Sequence, residues 1–72
     1  MGMIQDAVEQ VARGLQAAGA PAHEGWIVDP RAVWERVRVE RPEIAKAIVR
    51  HYGAPQRQVA EWVPRRPSPG GG

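Results

Sequence analysis

Proline is the residue that most limits what this chain can become. Seven prolines occur in 72 residues, and Pro21, Pro30, Pro42, Pro55 and Pro64 divide the first 64 positions into short stretches. Proline lacks the amide that a helix interior or central strand requires, and it biases the preceding residue away from helical backbone. A long uninterrupted helix or strand is therefore excluded. The first position of a helix nonetheless accepts proline readily, so the residues that end one element can begin the next.

Between these breaks the apolar residues follow a helical period. Ile4, Val8, Val11 and Leu15 form one stripe and imply a first helix from Met3 to Ala18, stopped by Gly19 and Pro21. Gly14 weakens that helix by about 1 kcal/mol relative to alanine. Asp29 followed by Pro30 is a helix start, with the carboxylate as cap and the proline in the first turn. Val33, Trp34 and Val37 then give an inward face through about Val39, while Arg31, Glu35, Arg36 and Arg38 stay in solvent. Arg41-Pro42 ends this second helix near Glu40 and opens a third, with Glu43 close to its positive end. Ile44, Ala45, Ile48, Val49 and Tyr52 keep the period until Gly53, and a short fourth helix runs from Gln56 to Val63. In the connector 19–29, Trp26-Ile27-Val28 is read either as a brief extended segment or as an apolar plug. Residues 64–72 have no apolar anchor and read as a disordered Pro/Arg/Gly-rich tail. The expected fold is all-α: one compact domain, 1–63, of three to four short helices ending in a helical hairpin.

The core available to such a bundle is unusual. The chain has one leucine, no phenylalanine, one tyrosine and three tryptophans (Trp26, Trp34, Trp62), so valine, isoleucine and tryptophan must supply the burial. A tryptophan can bury roughly 200 Å², yet a chain this short buries only about 60% of its unfolded surface. A homodimer or a larger protein partner would add to that small margin.

Composition also restricts chemistry. Without cysteine there is no disulfide framework, thiolate metal site or cysteine nucleophile. Ser68, the one serine, lies between prolines, threonine is absent, and His23-Glu24 has no second histidine at metal-ligand spacing. No metal, cofactor or free-standing enzymatic activity is expected. No apolar run reaches the ~18 residues of a membrane span and no secretory leader pattern is visible, so a cytoplasmic location without membrane contact is expected. The charges are uneven. Residues 1–30 carry four acids and Arg13, whereas residues 31–72 carry nine bases against four acids. An anionic partner would meet the second part.

One pattern in that basic part is more specific. Relative to Gly53, the positions five before, one before, one after, six after and nine after are Ile48, Tyr52, Ala54, Val59 and Trp62, all apolar. Residues 44–63 thereby resemble the helix-turn-helix unit of small bacterial and phage DNA-binding proteins. There a left-handed glycine ends the first helix and apolar residues seat the second against it. Val49 departs from the pattern, standing where the family favours alanine. The resemblance implies a transcription regulator or recombination accessory factor that binds double-stranded DNA. Helix 56–63 would enter the major groove, presenting Gln56, Arg57, Gln58 and Glu61 to base edges. Lys46, Arg50 and Arg41 would face phosphates, and Arg65 and Arg66 would reach along a groove as a flexible arm. The same helices also fit a different class: a small protein-interaction module (a phage inhibitor, adaptor or docking domain) that binds a larger protein through exposed Trp and Arg residues.

Overall fold

A computed structural model describes residues 2–67 of the chain, and these form an all-helical globule with four helices. α1 spans Met3–Ala17, α2 Pro30–Glu40, α3 Pro42–His51 and α4 Pro55–Trp62. Three of the four begin on a proline in the first helical turn, where the missing amide costs nothing. Asp29 caps α2: its Oδ1 accepts the Arg31 amide at 2.9 Å, and its Oδ2 accepts Arg31 Nη2 at 3.2 Å. The Arg31 side chain, and then its amide, hold the Asp29 carboxyl below the usual carboxylate value. Arg41 is the single joint between α2 and α3. Its amide bonds Val37 O at 2.8 Å, and its carbonyl accepts the amides of Ile44 and Ala45.

α2 is the central element, packed against each of the other three helices. Val33 and Val37 on its inner face have no exposed surface, and Trp34 beside them is buried. α1 brings Val8 with the small residues Ala7 and Ala12, which permit close approach; α3 brings Ile44, Ala45 and Ile48; α4 brings Val59. The connector is both a plug and a brief extended segment: Ile27 and Val28 are buried within the same core, and Trp26 bridges Arg65 in antiparallel fashion. Among the described residues, no helix is long and apolar enough to cross a membrane.

Three expectations are corrected here. Val39 does not continue the inner face of α2; it is 77% exposed, on the side away from the other helices. Val49 likewise leaves the apolar stripe of α3 and lies 57% exposed. The chain also remains anchored beyond residue 63. Pro64 O accepts the Ile27 amide at 3.0 Å, and the Arg66 amide donates to Gly25 O at 2.7 Å. Pro64 to Arg66 is thus paired antiparallel to the connector rather than forming the start of a loose tail; residues 68–72 lie outside the described residues. The partner of this pairing is set up by a tight turn at 23–26, in which Glu24 (φ 48°) and Gly25 (φ 117°) are both left-handed. Such a turn returns the chain in register with an antiparallel neighbour.

Two substitutions test the local rules. A Cβ at Gly14 meets nothing within 4 Å, so Gly14→Ala should raise stability by about 1 kcal/mol in urea unfolding. Asp29→Ala should cost about 1 kcal/mol at neutral pH. Since the folded pKa of Asp29 lies below its ordinary 3.8, its ionic contribution is complete above that value and is lost as pH falls through the depressed one. The gap between wild type and Asp29→Ala should therefore narrow in acid.

Candidate functional site

The candidate residues do not gather into one cluster. Lys46 and Arg50 lie on the exposed side of α3, where with Arg38 of α2 they border a groove of about 520 Å³ between the two helices. The floor of this groove is apolar, made by Trp34, Pro42, Ala45 and Val49. Gln56 and Arg57, exposed on the first turn of α4, border an adjoining cleft whose wall is again Trp34. The groove and the cleft both touch Trp34, and Gln56 and Arg57 also line a second cleft with Trp26, Asp29 and Arg31. Gln58 is half-buried, and Glu61 is exposed one turn further along α4.

Arg41, Arg65 and Arg66 are elsewhere. Arg41 is half-buried near Met3, Ala7 and Gln10 of α1, with its Nε donating to Glu43 Oε2 at 3.2 Å. Glu43 is held below the usual carboxylate range first by its own backbone amide and then by the Arg41 side chain. The Arg65 guanidinium stacks over the Trp26 ring at 4.1 Å from its centroid. Trp26 in turn donates from Nε1 to Ala60 O at 3.0 Å and stacks on His23 at 6.4 Å. Arg65 is thus part of a clasp joining the connector to α4, and the expectation of a free arm is corrected for it. Arg66 is exposed, with its amide in the same pairing.

The five positions of the helix-turn-helix pattern also separate. Ile48 and Val59 are fully buried, and Tyr52 meets Trp62 edge-to-face at 5.3 Å where the two helices end. Ala54 is exposed, as is Val49. α3 and α4 both pack on α2 and α1, which seat them more than they seat each other. Gly53, expected to be left-handed, is not; the glycines with positive φ among the described residues are Gly19 and Gly25. α3 ends instead on extended backbone at Tyr52 (φ −129°, ψ 135°). No tryptophan is exposed either: Trp34 is buried and Trp26 and Trp62 are half-buried. Among the apolar residues lining the basic groove, Val49 and Pro42 are exposed, while Trp34 and Ala45 are buried. Sequence reading counted Val49 among the core residues and so missed the groove. The signal present was Val49 lying three residues after Lys46 and directly before Arg50, at the edge of the apolar stripe.

No family model, curated protein or solved structure matches the chain. Its chemistry has to be read from its own residues.

Gly53→Ala distinguishes the extended turn from a left-handed one. A Cβ there meets nothing within 4 Å and the backbone is already one that alanine adopts. The substitution should leave thermal stability unchanged or raise it by about 0.4–1 kcal/mol. A clear loss of stability would mean that the turn needs a left-handed glycine.

Proposed function

We propose that this chain is a small helical protein-interaction module that binds a larger protein through the face formed by α2, α3 and the first turn of α4. The observation that carries this is Val49: an apolar side chain 57% exposed in an apolar-floored groove, rather than seated between α3 and α4. An apolar centre with a polar rim that includes arginine is the anatomy of a binding surface. The small core gives a second reason, since a partner covering the groove would add buried apolar area to a chain that has little.

A second reading retains double-stranded DNA as the ligand. It is favoured by Gln56 and Arg57 being exposed on the first turn of α4, and by Lys46 and Arg50 being exposed on α3. Those residue types suit base-edge and phosphate contacts respectively.

Fluorescence anisotropy with a labelled mixed-sequence duplex, at about 50 and 200 mM salt, separates the two. The interaction module should leave the duplex free at both salt concentrations. It should also form a specific cross-link to a protein partner from a photoreactive residue at position 49, and none from one at Gln16 on α1. Duplex binding that weakens steeply with salt and again in Arg57→Ala would overturn the module in favour of the DNA reading.

A further inference from the structure

The groove between α2 and α3 has a chemical signature that narrows the partner. Its floor is Trp34, Pro42, Ala45 and Val49, and its two rims carry positive charge: Arg38 on α2, and Lys46 and Arg50 on α3. Arg38 pairs with Glu35 of its own helix at 3.0 Å, both side chains being more than half exposed. Among the described residues, neither Lys46 nor Arg50 forms an ion pair. No acid lines the groove.

We propose that this groove docks an acidic amphipathic helix from another protein, with apolar side chains set against Val49 and Pro42 and carboxylates facing Lys46, Arg50 and Arg38. The inference rests on the interaction-module reading and adds the class of partner. Charge complementarity carries it. A neutral apolar segment would strip water from the rim cations without replacing it, and a basic one would meet repulsion on both walls. A helix is the occupant that suits a channel between two helices, because apolar residues at spacings of three and four make one ridge and leave the flanks for acids. The proposal also accounts for the exposure of Val49, which would otherwise be an uncovered apolar residue between cations.

The described part of the chain provides no such occupant within its own fold, as α1 is already packed on α2 and α3. A second copy could in principle offer its acidic first part, so self-association must be measured alongside.

The probe is a fluorescein-labelled helical peptide of about four turns with leucine at heptad a and d positions and glutamate on both flanks. Two companions carry glutamine or lysine in place of glutamate. The full chain should bind the acidic peptide, at least tenfold more tightly than the glutamine peptide and with no detectable binding of the lysine peptide. Val49→Glu should weaken the acidic peptide tenfold or more, and the double variant Lys46→Glu/Arg50→Glu should reverse the preference toward the lysine peptide. Position 49 is exposed, so the fold should survive; unchanged circular dichroism and melting temperature check this, and Val49→Ser is the milder substitute if they change.

Equal binding of acidic and glutamine peptides would overturn the acidic partner while leaving the interaction module intact. If the acidic peptide does not bind while the position-49 cross-link forms, the partner class is wrong but the face is right. Loss of both would defeat the proposal and the module together. Sedimentation showing a self-associated chain that Val49→Glu dissociates would make the occupant a second copy, which also overturns it.

Discussion

The whole molecule depends on burying one face of an eleven-residue helix. α2 is too short to be stable in isolation, and it carries five exposed charged side chains among its residues. What holds it is the inner strip of Val33, Trp34 and Val37, against which α1, α3, α4 and the Ile27-Val28 plug all close. Each fully buried valine contributes roughly 1.5–3 kcal/mol, a large share of the stability of so small a domain. Without this strip, α1, α3 and α4 lose the surface that all three share and keep the smaller contacts of α1 with α3 and α4. The capping of α2 by Asp29 and its termination before Pro42 set where the strip begins and ends.

The position of α4 follows from the same constraint. A helix of eight residues with one fully buried side chain, Val59, needs further attachments. They come from Trp26, which bonds Ala60 O, from the contact of Trp62 with Tyr52, and from the pairing of Pro64 to Arg66 with the connector. α4 is therefore positioned from three sides, and the joint at Gly53 does not have to impose a crossing angle. That leaves the outward sides of Ala54 and Val49 uncovered. Trp34 lines both the groove edged by α3 and the cleft at the first turn of α4.

The electrostatics match this arrangement. The ion pairs of the described residues lie within one element or between close sequence neighbours, on exposed or half-buried side chains: Arg36 with Glu40, Arg38 with Glu35, Arg31 with Asp29 and Arg41 with Glu43, with His23 beside Glu24. Such pairs contribute little to stability, and among the described residues no buried polar side-chain atom is left without a partner. Burial and capping hold the fold, so the charges not used in pairs, Lys46, Arg50 and Arg57 among them, remain available to a ligand.

The beginnings of α2 and α3 were legible in the sequence because they are written within a few residues: Asp29-Pro30 and Arg41-Pro42 each contain the cap, the permitted proline and the restriction on its neighbour. The all-helical class was legible for a similar reason, as the apolar period repeats within each segment. The outer limits of the apolar faces were not. Val39 and Val49 fit the edge of a helical stripe as well as Val37 and Ile48 do, and which edge is covered depends on where a neighbouring helix lies. The fate of Gly53 and Arg65 was also undecided locally. Glycine permits a left-handed turn without requiring one, and a Glu24-Gly25 turn that brings the connector beside Pro64 to Arg66 is not signalled by its composition. The sequence by itself determined where helices start and stop, because caps and prolines act over three or four residues. The tertiary structure alone decided which cations share a face and that Val49 lies between them, because those are distances between segments that only packing on α2 brings together.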